Sequence, residues 1–229
     1  MNSLLRHVLL LSIVGVSSNA MAQSPDSLPP VPNVPVALSF FAPIIFPVKV
    51  IQDEAELRDF VTSREFALWR TRNGDPGAVD LLFRRSLQLC WGNTGEALLI
   101  CMLATFDHRT LGLRLPLVGF VLWLPLTGEF QEDFDRRVRD LPSHLYADTP
   151  PEGDRDKLQH FFGSAWLTLV FDSPESADDL GEFIETGEEA FVVGGVRDDR
   201  DVRANRDGQR FGMALMSRTG ALPSEFFGH

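Results

Sequence analysis

Two polar ladders in the C-terminal part of the chain constrain its fold more than any other feature. Asp156, His160 and Ser164 form one, and Asp201, Asn205, Gly208 and Gly212 form the other. Residues three and four apart share one face of a helix. Such a face in a globular domain normally carries leucines toward its neighbours, so this spacing predicts helices that meet through polar and small groups. Residues 144–217 therefore read as a bundle of three helices. The first opens at Asp154 or Asp156 and runs to about Phe171, with Phe161, Trp166, Leu167 and Val170 apolar. The second covers Ala177–Val193, capped by Ser176 and stopped by Gly194-Gly195. The third covers about Asp199–Ser217, and residues 218–229 read as a loose tail.

Residues 36–143 carry a different pattern. Val48–Ile51 suits a strand, followed by a helix capped at Asp53 with Leu57, Phe60 and Val61 at helical spacing. Asn73–Gly77 is a turn. Leu87 and Leu89 alternate with polar neighbours within Val79–Cys90, and Glu96–Phe106 is almost continuously apolar, as in a strand covered on both faces. Leu111–Leu115 and Gly119–Pro125 complete an expected antiparallel meander of about four strands. A helix from Thr127 to Asp140 ends at Pro142. The expected architecture is thus α+β: a meander with two short helices, packed on the C-terminal three-helix bundle.

The N-terminus has the layout of an export signal. Arg6 precedes the apolar run Val8–Val16, and Ala20-Met21-Ala22 is a small-x-small cleavage site. Residues 1–22 read as a signal peptide and 23–35, with five prolines, as an extended linker. No cysteine follows the cleavage site, so the lipoprotein route is closed. The expected location is the periplasm or envelope of a Gram-negative bacterium. In an oxidising compartment Cys90 and Cys101, facing across a hairpin centred near Gly95-Glu96, would form a disulfide; the alternative is two buried free thiols.

With 21 Lys plus Arg against 32 Asp plus Glu, the net charge is −11. No basic cluster stands free of carboxylates, which excludes nucleic-acid binding through phosphate neutralisation. The partner class left open is peripheral contact with membrane or envelope components. No serine elbow, phosphate loop or calcium loop is present.

The chemistry of the ladders allows two readings. Asp156 can hold the imidazole of His160, and Glu189 (or Glu188) with Asp201 could complete a ring around one spot. A neutral imidazole with carboxylates suits a divalent metal such as Zn²⁺ or Mn²⁺, with His160, Glu189 and Asp201 as ligands. The same four residues could serve a small acid/base hydrolase. The preferred reading is a buried polar network in which Lys157, Ser164, Asn205, Gly208 and Gly212 take part and which fixes helix register without turnover. His108, His144 and His229 read as surface histidines.

Three elements in order carry a resemblance: Asp156-Lys157-x-x-His160-Phe161, Gly187-Glu188-Glu189, and Asp201-Val202-x-Ala204-Asn205-x-x-Gly208-x-x-x-Gly212. Residues 154–212 resemble the YfiM-like periplasmic lipoproteins and, more remotely, the VanZ-like membrane proteins. The resemblance implies an envelope location and a helical bundle. Neither family brings an established activity, and residues 48–146 resemble no family.

Overall fold

Apolar residues recurring three and four apart settle the N-terminal half as helix. The computed structural model describes residues 48–114, 121–171, 199–218 and 220–228. Helix α1 spans Val48–Val61 and buries Val50, Ile51, Leu57, Phe60 and Val61 on one side. Helix α2, Arg64–Leu89, begins at Ser63, whose hydroxyl accepts the Phe66 N–H at 3.1 Å. It bends at Gly74, where φ 73° and ψ 179° suit only glycine and Pro76 follows close behind. Helix α3, Thr94–Ala104, is capped by Asn93, whose side chain accepts the Glu96 N–H at 3.2 Å.

The expected meander is overturned by these elements. Val48–Ile51, Val79–Cys90 and Glu96–Phe106 were expected as strands, and all three lie largely in helices. Two physical reasons account for the error. The β-branched run at Val48 is a weak local preference that burial at helical spacing overrides. Glu96–Phe106 is apolar because α3 is surrounded: Ala97, Leu98, Ile100, Cys101 and Ala104 are fully buried, and a buried helix and a two-faced strand look alike in an apolar run. Among the described residues the one sheet is a two-stranded ribbon, β1 (Thr110–Arg114) antiparallel to β2 (Val121–Pro125), with Thr110 opposite Pro125 and Arg114 opposite Val121.

The expected disulfide falls with the hairpin it needed. Cys90 and Cys101 are buried free thiols, and the link between them joins two helices. Trp91 and Gly92 take positive φ (53° and 83°); Gly92 N–H reaches Leu87 C=O at 2.7 Å and Trp91 N–H reaches Gln88 C=O at 3.2 Å, the bond pair that ends a helix in a Schellman motif. Burial pushes the Cys90 thiol up to about 12, with Asp53 adding to the rise.

Helix α4, Gln131–Asp140, starts after Phe130 rather than at Thr127. Helix α5 spans Arg155–Phe171 and helix α6 spans Asp199–Ser217. The expected second helix of the bundle, the signal peptide and the linker lie outside the described residues. Helix α3 is the hub, packing against α1, α2 and α5, so the two halves share one core instead of forming two layers. The C-terminal residues expected to be loose are docked. Phe226 lies 5.5 Å from Phe211, and Phe227 lies 4.8 Å from Phe161 and 5.7 Å from Tyr146, centroid to centroid. Ser224 donates through N–H and Oγ to Asp80 at 2.8 and 2.7 Å. Two aromatic side chains at the terminus supply enough apolar surface to hold it.

Candidate functional site

Glycine sets the distance between α5 and α6, and that distance makes the site. A Cβ on Gly208 would stand 2.1 Å from the Phe161 carbonyl oxygen; one on Gly212 would stand 2.8 Å from that of Ala165 and 2.9 Å from Thr168 Cβ. Only a hydrogen side chain permits backbones to meet this closely. Partners advance together along both helices, Lys157 with Asp201, Ser164 with Asn205, Ala165 with Gly212, so the two run parallel. Their N-termini therefore lie at the same end, where Asp156, Asp199 and Asp201 in the first turns oppose the positive ends of the helix dipoles.

Lys157 is the centre of the polar ladder. Its side chain is 5% exposed, and Nζ lies 2.6 Å from Asp156 Oδ2 and 2.7 Å from Asp201 Oδ1. His160 Nε2 approaches the same Asp201 oxygen at 3.4 Å. One turn further, Ser164 Oγ donates to Asn205 Oδ1 at 2.8 Å. Because Ser164 bonds Asn205 and not His160, the pair has no nucleophile–base relation of the kind acyl transfer needs.

A second layer closes the N-terminal end. Asp154 is fully buried, and its Oδ1 accepts from Arg200 Nη2 at 2.5 Å and Nε at 3.1 Å. Thr149 Oγ1 donates to the other oxygen, and Asp154 N–H reaches Ser143 C=O at 2.7 Å. Burial alone would lower the Arg200 guanidinium, but Asp154 and Asp148 outweigh it and raise it above its usual value. Arg203 lies 4.1 Å from the Tyr146 ring centroid, a cation–π contact that seats the connecting loop on α6. Burial pushes the Asp207 carboxyl above the usual carboxylate range, against Tyr146 and Arg210, and burial together with Asp207 pushes the Tyr146 phenol up.

Of the residues expected at the site, Asp156, Lys157, His160, Ser164, Asp201, Asn205, Gly208 and Gly212 come together along the α5–α6 contact. Glu188 and Glu189 lie outside the described residues. His108 pairs with Asp107 at 2.5 Å and His144 lies 3.6 Å from Asp75, both far more exposed than His160. Arg200 and Arg203 were not expected at the site, and Asp154 was expected only as a helix start. The signal for Arg200 was the charge run Arg197-Asp198-Asp199-Arg200-Asp201, whose sequence reads as a solvated helix start. A cleft of about 350 Å³ at this end is lined by Asp107, Val138, Arg155, Asp156, Lys157 and Arg200 among others, and does not include His160 or Asp201.

The donor set bears on the metal expected from His160, Glu189 and Asp201. Among the described residues no three His, Cys, Asp or Glu side chains are grouped to hold a metal ion, and the charge set against Asp201 and Asp156 is the Lys157 ammonium. No family model, curated protein or solved structure matches this chain.

Proposed function

We propose that this chain is a non-catalytic protein of the bacterial cell envelope, exported to the periplasm, whose polar ladders fix two helices in one register. The observation that carries the reading is Lys157. Its ammonium lies within 2.7 Å of both the Asp156 and Asp201 carboxylates, so the anionic centre is already served by a protein cation. A buried ion pair of this kind defines which helix faces meet, at little net gain in stability over apolar packing. The export reading is supported by the Arg6, Val8–Val16 and Ala20-Met21-Ala22 layout. The YfiM-like resemblance of residues 154–212 supports an envelope setting, with peripheral contact to membrane or envelope components as its partner class.

Elemental analysis of purified protein, paired with melting of His160→Ala, tests this reading. The expected result is no stoichiometric zinc or manganese and a destabilised but folded variant. One equivalent of metal that disappears in His160→Ala would instead favour the metal-dependent hydrolase using His160, Asp156, Glu189 and Asp201.

A further inference from the structure

A second group of enclosed charges, apart from the ladders, sits where the β1–β2 ribbon joins the helices. Arg58 on α1 is shared by two carboxylates: its Nε lies 3.0 Å from Glu54 Oε1 and its Nη1 lies 3.4 Å from Glu129 Oε2. The same Nη1 donates to Thr127 Oγ1 at 2.6 Å. Arg137 on α4 is committed to Glu129, with Nε 2.9 and 3.1 Å from its two oxygens and Nη2 2.8 Å from one of them. The remaining Arg137 nitrogen donates to the Ala104 and Phe106 carbonyls at 2.8 and 2.9 Å. Glu129 thus has two guanidiniums and the Thr127 hydroxyl, whereas Arg58 alone among the described residues forms an ion pair with Glu54. The side chains of Glu54, Arg58 and Glu129 are 12%, 14% and 10% exposed, which leaves little water to make up the difference.

Both chain segments that flank the ribbon pass through this cluster. Phe106 precedes β1, and Thr127 and Glu129 follow β2. Leu126 N–H extends the ribbon pairing to Arg109 C=O at 2.8 Å, and Arg109 Nη2 donates to Glu129 C=O at 2.5 Å.

We infer that Glu54 is a proton-binding site that couples the charge of this cluster to how firmly the ribbon and α4 are held against α1. With Glu54 ionised, Arg58 divides between Glu54 and Glu129. When solvent supplies a proton to the Glu54 carboxylate, the neutral acid ceases to compete, and Arg58 is left to Glu129 and Thr127. That exchange draws α1 toward the segment leaving β2.

Burial of Glu54, more than the charges around it, favours such a site in the neutral range. Burial pushes its carboxyl from 4.5 up to about 7; Arg58 and Arg137 oppose the rise, and Glu129 and Asp59 add to it. Burial would also raise Glu129, but Arg137 and Arg58 outweigh it and hold that carboxyl below its usual range. Asp59 is raised by burial, against Arg58 and with Asp133 and Glu129. Because the folded value of Glu54 exceeds the unfolded one, its stabilising contribution is complete below about 4.5 and is lost as pH rises through about 7.

A carboxyl ¹³C titration of Glu54 in the full-length protein, with unfolding measured for wild type and Glu54→Gln between pH 5 and 8.5, tests the inference. The expected midpoint is near 7, and the wild-type unfolding constant should rise relative to Glu54→Gln by on the order of a hundredfold over that range. Exchange of the Leu126 amide, corrected for intrinsic rate, should be slower at pH 6 than at 8.5 in wild type and unchanged in Glu54→Gln. A midpoint in the ordinary carboxylate range would overturn the inference, and the wild-type titration decides this even if Glu54→Gln fails to fold. A pH-independent ratio of unfolding constants would overturn it too, and equal pH response of Leu126 in both proteins would remove the coupling to the ribbon.

Discussion

The α5–α6 contact and the base of the ribbon both enclose charged groups, and the way each divides its cations among its carboxylates distinguishes them. In the first, Gly208 and Gly212 bring two helices into carbonyl contact, so a lysine and short side chains (Asp, Ser, Asn) complete the network along one seam. In the second, Arg58 is shared between Glu54 on its own helix and Glu129 beyond β2, and Arg137 on α4 is committed to the same Glu129. The seam aligns successive pairs along its length and fixes register. The ribbon base shares one guanidinium between unequal acceptors, which leaves Glu54 poised to take a proton. Equal numbers of opposite charges do not ensure equal pairing; how donors are divided decides which acid ionises last.

Arg137→Met should break the ribbon base with the largest effect. The side chain is 1% exposed, and its loss takes the bidentate partner from Glu129, leaving it Arg58 and Thr127, and removes the donor to two carbonyls, so unfolding should become easier by about 3–5 kcal/mol in denaturant titration. Gly208→Ala attacks the seam, because the new Cβ would meet backbone rather than a side-chain tip; a loss of about 3 kcal/mol is expected from overpacking. Ser164→Ala removes one donor to Asn205 and should lower the melting free energy by about 1 kcal/mol. Trp91→Gly lies outside both regions and should act in the opposite direction. Trp91 is 84% exposed with φ 53°, so glycine there should stabilise the protein by up to about 1 kcal/mol. If Gly208→Ala were neutral while Arg137→Met was costly, the claim that glycine sets the seam would fail.

The seam was more legible in the sequence than the helices that carry it to the core. Asp156, His160, Asp201 and Asn205 recur at helical spacing, and their polarity makes that spacing visible against an apolar background. The N-terminal half lacked such contrast. Helix α3 is apolar round its circumference, and α1 opens with β-branched residues, so each presented the composition of a strand. Lys157 was expected as one participant in the network and not as its centre, and it stands one residue off the Asp156–His160 face. Its long stem nevertheless carries the ammonium round to Asp201, as aliphatic stems allow. Asp154 and Arg200 were hidden for another reason: a carboxylate and a guanidinium far apart in sequence give no local sign that burial will pair them.

The central claim is that Lys157 and Asp201 hold α5 and α6 in register as one coupled pair. A double-mutant cycle of Lys157→Met, Asp201→Asn and both together, read by unfolding free energy, tests it most directly. The account predicts that each single change destabilises the protein and that the double change falls short of the sum by about 1–3 kcal/mol. Additive losses, or a Lys157→Met protein as stable as wild type, would contradict it.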